Sequence, residues 1–383
     1  MTFGQSPIIR PGADADHRNF GLDAARLLAC SLVLLAHLTA IFVPMFGGKP
    51  PVSALIGAYW GVELFFVLSG FLIGRLLFAI AETDPTPRGW LIFMVRRWMR
   101  TLPLYYLWLV VLPLALPPPQ HLAGRLLMFA TMTQNLAWPM PRDEWFNASW
   151  SLTIEEWFYL LFSTALIGAV VFTRSRRSIW LAIAVFLVAP AAARWFHPAT
   201  SDFEHDIFHV VVLRLDAIAY GVALARLQVQ GSALFRHPRI AFALGAAIVG
   251  AFWLQATNGV WLPLSAAHYM FVQMIAGSIG LCLFLAGVAG LRTRIRPVAW
   301  FVSLGSRLSY GIYIMHLTII EAVSWYAVGH GKDRVFIAVA SAVLIVLLPY
   351  VSYRLFEAPI MALRPKQARA VAAGTSALRL RRT

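Results

Sequence analysis

Residues 22–44 read LDAARLLACSLVLLAHLTAIFVP. As an α-helix this stretch rises about 34 Å, enough to cross a hydrocarbon core about 30 Å thick. Its ionisable side chains are Asp23 and Arg26 near the start and His37 deep inside. Comparable apolar runs follow at 55–80, 101–118, 150–172, 178–195, 207–227, 240–256, 267–290, 304–327 and 335–354. The pattern predicts an all-α, polytopic transmembrane helical bundle of about ten spans. Composition points the same way. Of 383 residues, 60% are hydrophobic and 13% charged, against about 45–50% and about 25% in soluble domains. So few charges cannot cover a soluble globule of this size, which excludes a soluble enzyme. The run from Leu22 lacks a small-residue cleavage site and reads as a retained first span rather than a leader.

Lys and Arg total 32 against 17 acids, a net charge of +15. In a soluble chain that excess would suggest nucleic acid; here its position decides. With a cytoplasmic N-terminus and no crossing by 122–138, 22 of the 32 basic residues fall in cytoplasmic segments. Six fall outside (Lys49, Arg125, Arg142, Arg194, Lys332 and Arg334) and four within spans (Arg26, Arg75, Arg214 and Arg307). A crossing by 122–138 would turn every later basic loop outward, against the positive-inside rule. Both termini are therefore expected in the cytoplasm, with segment 119–149 interfacial or re-entrant. The basic excess reads as topology and contact with anionic membrane lipids, with no nucleic-acid partner. The chain divides into a cytoplasmic N-terminal tail (1–21), a membrane-embedded domain (22–360) and a basic cytoplasmic C-terminal tail (361–383), and the tails read as disordered. Cys30 and Cys282 lie in apolar runs and build neither a disulfide framework nor a metal site.

An ionisable residue inside a span is costly and marks function until otherwise explained. Arg26 and His37 are 11 residues apart, which returns them to within about 20° of one helix face and about 16 Å apart along it. A snorkelling Arg beside a core His is the plain alternative. A neutral imidazole in hydrocarbon still needs partners for both nitrogens. Glu63, in GVELFFVLSGFLI (61–73), offers one. It and His37 each lie about 6 Å outward of their span centres, so Glu63 is expected to fix the tautomer of His37. In RRWMRTLPLYY (96–106), Arg97 and Arg100 share a face at i,i+3. A bare topology signal would account for them, yet Arg rather than Lys suits bidentate phosphate recognition.

WSLTIEEWFY (150–159) opens the fourth span, and Ser151, Glu155 and Tyr159 repeat at i,i+4,i+8. Against an interfacial cap of adjacent acids and a belt Trp150, this shared face points Glu155 inward. Arg214 and Asp216 read as a paired structural couple. His316, near the midplane of LSYGIYIMH (308–316), reads as a satisfied core histidine, with Tyr310 and Tyr313 able to line an acyl-facing pocket. Glu357 and Arg354 read as an end anchor.

Taken in order, Arg26-x10-His37, GVELFFVLSGFLI, RRWMRTLPLYY, WSLTIEEWFY, LSYGIYIMH and FEAP (356–359) resemble acyltransferase family 3, the membrane-bound sugar O-acetylase type. The match covers nearly all ten spans. Here Ala24-Ala25 replaces a turn where Gly is common, Glu63 stands where Asp is usual, and the chain reads as the stand-alone form. The resemblance implies that Arg26 and His37 are essential, that Arg97 and Arg100 serve the acyl-CoA side, and that Glu155 belongs to the functional pocket.

The expected activity is O-acyl transfer, most simply of acetyl, from cytoplasmic acyl-CoA to a hydroxyl of a sugar-containing acceptor. The acceptor class is a cell-surface glycan, a glycolipid or a glycosylated metabolite. Such transfer needs a base, a polarising group and exclusion of water. His37, Glu63 and Glu155 are the candidate catalytic residues; Arg26, Arg97 and Arg100 would hold acyl-CoA, a co-substrate rather than a tightly bound cofactor. Ser69, Trp150, Ser151, Tyr159, Tyr310 and His316 would line the substrate pocket. His37 suits either a base or an acyl carrier. The rival is a proton-coupled exporter with His37, Glu63 and Glu155 as a relay, although such carriers usually show repeated halves. A lipid-linked glycosyltransferase would want outward acidic residues, whereas the basic cluster faces inward. A bacterial cytoplasmic (inner) membrane is the expected location.

Overall fold

The computed structural model describes residues 19–119, 121–136, 145–175, 177–197, 202–258 and 266–366. The predicted N-terminal tail up to residue 18, the stretch 137–144 of the re-entrant segment and the tail from 367 lie outside the described residues. Among the described residues there is no strand. Eleven principal helices follow in order: α1 (Phe20–Met45), α2 (Gly57–Thr83), α3 (Pro87–Ala115), α4 (Leu122–Ala130), α5 (Ser149–Thr173), α6 (Arg177–Trp195), α7 (Leu215–Val229), α8 (Pro238–Asn258), α9 (Ala266–Val288), α10 (Arg296–Gly329) and α11 (Arg334–Ser352). All but α4 and α7 belong to the nine segments long and apolar enough to span a membrane. The chain is a multi-pass helical membrane protein.

Two predicted spans need correction. The third was expected at 101–118 after a basic loop, but α3 starts at Pro87. Thr86 caps it by accepting from the Gly89 N–H at 3.1 Å, and Pro87 occupies a first-turn position where its missing N–H costs nothing. Pro103 inside the helix gives up one hydrogen bond without ending it, as helices in apolar surroundings allow. Arg96, Arg97 and Arg100 therefore stand inside a continuous helix that carries on into the span, on which Arg97 and Arg100 share the expected i,i+3 face. The sixth predicted span, 207–227, is broken: a π-turn (Glu204–Phe208) and a 3₁₀ turn (Val211–Leu213) precede the 15-residue α7. The freed backbone groups are taken up by protein. Asn135 Nδ2 donates to the His209 carbonyl at 2.6 Å, the Val211 N–H donates to the Asn135 carbonyl at 2.9 Å, and Arg194 donates to the Leu213 carbonyl. Irregular backbone at such depth survives only when protein satisfies it.

The segment before α5 contributes the nine-residue α4, about 14 Å long and under half a hydrocarbon core. Tyr105 and Tyr106 of α3 donate to the carbonyls of Phe129 and Ala130, at 2.8 and 2.9 Å. Trp157 and Gln134 tie the turn beyond it to α5, through Met132 O at 2.8 Å and Thr153 Oγ1 at 2.6 Å.

α2 is the hub. The most deeply buried of the long helices, it carries small residues where neighbours press closest. A Cβ on Gly61 would come within 2.6 Å of the Ala29 carbonyl oxygen, one on Gly70 within 2.0 Å of the Ile218 carbonyl oxygen, and one on Gly221 within 2.0 Å of the Val67 carbonyl oxygen. Small residues let helices approach where no hydrophobic drive separates lipid from protein. The same contacts give direction. Gly57 meets Leu32 while Gly61 meets Ala29, so α1 and α2 are antiparallel. Arg26 meets Ser306, Cys30 meets Ser309 and His37 meets His316, so α1 and α10 are parallel.

Gly70→Ala should cost about 1–3 kcal/mol through overpacking. Gly168→Ala, where a Cβ meets nothing within 4 Å, should be neutral or stabilising by up to about 1 kcal/mol. Thermal unfolding of the purified protein in detergent compares them; equal midpoints would contradict the α2–α7 contact.

Candidate active site

One cavity of about 100 Å3 opens between α1, α2, α3, α5 and α10. The helix directions set its contents. α3 runs parallel to α10, since Tyr310 donates to the Thr101 carbonyl at 2.6 Å and Trp108 donates to Thr318 Oγ1 at 3.2 Å. α2 runs parallel to α5, with Phe66 edge-on to Trp150 and Ser69 against Glu155. Arg26, Arg97 and Arg100 therefore gather at one end, and Val62, Ser151 and Tyr313 at the other.

At the centre, the Ser69 hydroxyl donates to Glu155 Oε1 at 2.5 Å and lies 2.6 Å from the Tyr159 hydroxyl, which itself donates to Glu155. One carboxylate oxygen thus accepts from two helices, and the i,i+4 spacing of Glu155 and Tyr159 is the reason they share it. Tyr313 shares a hydrogen bond with Ser151 at 2.7 Å. Arg26 bonds the Ser306 hydroxyl at 2.9 Å, and Ser306 donates on to Asp23 at 2.7 Å. Arg97 lies 5.8 Å from the ring centre of Tyr159 and 5.9 Å from that of Phe93, a cation–π arrangement. Neither Arg97 nor Arg100 has a carboxylate within ion-pair distance among the described residues. Arg96 donates to the Pro365 carbonyl at 2.5 Å, which draws in the chain after α11. Burial, then Arg100, Arg96 and Arg97, lowers the Arg364 guanidinium to about 10. Four guanidinium groups thus crowd one end of the site.

A family model described as an acyltransferase domain matches residues 19–354. The chain belongs to acyltransferase family 3. No curated relative and no solved structure matches the chain.

In this acyltransferase the cavity unites Arg26, Ser69, Arg97, Arg100, Ser151, Glu155, Tyr159 and Tyr310. Other expected residues lie elsewhere. Glu63 does not meet His37. It is buried in an ion pair with Arg214 and accepts from Ser278 at 3.4 Å, because α7 lies against α2 on the side away from α1. The expected Arg214–Asp216 couple is likewise wrong: Asp216 takes a bidentate pair from Arg194, at 2.8 and 2.5 Å. Two residues apart, at the end of a 3₁₀ turn and at a helix start, Arg214 and Asp216 point to different neighbours. Trp150 does not line the cavity; it stacks on His209 with ring centres 4.1 Å apart. Glu357 turns to Ser352 at 3.4 Å instead of to Arg354.

His37 meets His316, Nδ1 to Nε2 at 2.9 Å. Neither lines the cavity: His316 lies one turn beyond Tyr313, whose ring is 6.2 Å from its own, and His37 stands three turns beyond Arg26 on α1. Sequence reading missed Ser306 and Thr101. It also passed over Glu156, which accepts from Thr101 at 2.5 Å, and Arg364. A signal for the His pair was present: Arg26 to His37 and Ser306 to His316 are nearly equal spacings, as two parallel helices require.

Glu63→Gln should leave the Arg214 guanidinium buried without its counter-charge, at a cost of about 3–5 kcal/mol. Thermal unfolding should fall steeply while acetyl-CoA affinity of the folded fraction stays unchanged. A variant as stable as the parent would return Glu63 to the list of functional groups.

Proposed function

We propose that this acyltransferase moves a short acyl group, acetyl in the simplest case, from cytoplasmic acyl-CoA to a hydroxyl of a sugar-containing acceptor. The observation that carries the reading is the convergence of Arg26, Arg97 and Arg100 at one end of a cavity whose centre holds Glu155, Ser69 and Tyr159. Arg97 and Arg100, without acid partners among the described residues, present donors suited to the phosphates of CoA. The positive-inside count supports a cytoplasmic position for that end and for both termini, and a bacterial inner membrane is the location that goes with this reading.

The pantetheine arm would run from the guanidinium end past Ser69 and Tyr159 toward Tyr313. His37 then stands within a turn of the far end and takes the proton of the acceptor hydroxyl as its oxygen attacks the thioester carbonyl. The acceptor glycan or glycoside would enter from the opposite compartment, beside α4 and the 131–136 turn. A proton relay through His37, Glu63 and Glu155 has no comparable support. Glu63 is neutralised by Arg214, and Glu155 is bound to Ser69 of α2 and to Tyr159 of its own helix.

Mass spectrometry of surface glycans and secreted metabolites, with and without the gene, tests this directly. A mass difference of one acyl unit should appear and vanish with His37→Ala. Arg97→Ala and Arg100→Ala should each weaken acetyl-CoA binding at least tenfold, the loss of a charge-assisted hydrogen bond. Transfer that persists in His37→Ala, or transport by vesicles with no acyl donor, would overturn the proposal.

A further inference from the structure

His316 was expected to be a core histidine satisfied by its surroundings. Its hydrogen bonds give it a more specific part. Nδ1 lies 3.0 Å from the Ile312 carbonyl oxygen and 2.8 Å from the Tyr313 carbonyl oxygen. A carbonyl oxygen only accepts, so the proton of this ring must be on Nδ1. The side chain is 1% exposed, and no carboxylate lies within ion-pair distance of it among the described residues. A second proton would put an uncompensated charge in an apolar core. Nε2 of His316 is therefore a lone pair, and it faces Nδ1 of His37 at 2.9 Å.

A lone pair can only accept, so the proton on His37 must be on its Nδ1. The lone pair of His37 is then on Nε2, on the far side of the ring. That nitrogen meets no protein hydrogen-bond partner among the described residues. His37 is half-buried where His316 is closed off. The rings lie 5.0 Å apart at 31°, and each is held on a separate helix. The parallel register of α1 and α10, anchored by Arg26 to Ser306 and Cys30 to Ser309, brings them to the same depth.

We infer that His316 is a positioning residue: through the Ile312 and Tyr313 carbonyls it holds His37 as the Nδ1–H tautomer, so that Nε2 of His37 is the working base. This rests on the reading of His37 as the base. In the transfer, the acceptor oxygen forms its bond to the thioester carbonyl carbon while its proton passes to His37 Nε2. The carbon–sulfur bond breaks with its electron pair on sulfur, and the CoA thiolate recovers that proton from Nε2. Throughout, the Nδ1–H of His37 stays on His316 Nε2. The role resembles that of a carbonyl or carboxylate behind a catalytic imidazole, supplied here by a second ring.

Two substitutions separate this role from simple packing. Glutamine places its amide oxygen where Nε2 of the imidazole was and still accepts from His37. Asparagine reaches only to the Nδ1 position, so it keeps the bond to the helix carbonyls and loses the one to His37. In cells lacking their own copy, the acylation rate per folded protein should fall about a hundredfold in His316→Asn and stay within about fivefold of the parent in His316→Gln, on the scale of the same proton-transfer contribution. Affinity of the purified full chain for acetyl-CoA should be unchanged in both. Equal activities of the two variants, or a more active Asn, would overturn the inference. Nitrogen-15 spectra of the unaltered, histidine-labelled protein in bilayers, assigned by His37→Gln, test it without a variant at 316. Both rings should be neutral with the proton on Nδ1, and a proton on Nε2 of His37 would overturn it. Acylation that survives His37→Ala defeats the functional proposal instead, whatever happens at 316.

Discussion

Where Gly70 meets Ile218 and Gly221 meets Val67, the backbones of α2 and α7 approach until a methyl group on either would strike a carbonyl oxygen. Such a contact leaves no slack in rotation or in depth. It locks α2 against α7 on one side, and Gly61 locks it against α1 on another. With α2 fixed, Ser69 faces α5 and Glu63 faces α7. The cavity exists because the helix lining most of its length cannot turn.

The charges then sort themselves by neighbour. Glu63 with Arg214 and Asp216 with Arg194 form two pairs with side chains at most 2% exposed, where an unpaired ion would be costly. They hold together a backbone that breaks between residues 208 and 215. At the other end the opposite holds: Arg97 and Arg100 line the cavity with no carboxylate within ion-pair distance among the described residues. One set of ionisable residues is spent on structure. The other is left without acid partners, and the difference lies in which helix faces which.

Much of this protein is readable along the chain. Runs of about 20 apolar residues declare membrane helices because hydrocarbon tolerates no unsatisfied backbone. Spacings of one turn within a helix are readable as well: Ser151, Glu155 and Tyr159, at i,i+4,i+8, share a face for the same geometric reason in sequence and in structure. The helix start at Pro87 was hidden because the apolar run begins only at 101, after the charges of RRWMR, although nothing in that stretch breaks a helix. The break before α7 was hidden because its satisfying partners, Asn135 and Arg194, are remote in sequence.

By itself the sequence determined the class of the fold, the family, and the helical faces bearing Arg26, Arg97, Glu155 and His37, since each of these depends on short-range periodicity or on ordered motifs. Tertiary structure alone decided partners: Glu63 with Arg214 and not His37, His37 with His316, Ser69 with Glu155. Depth along a span can be counted from sequence, but azimuth cannot. Two residues at equal depth touch only if their helices pack and face each other, and that is settled by close contacts such as those of Gly61, Gly70 and Gly221, far from either charge along the chain.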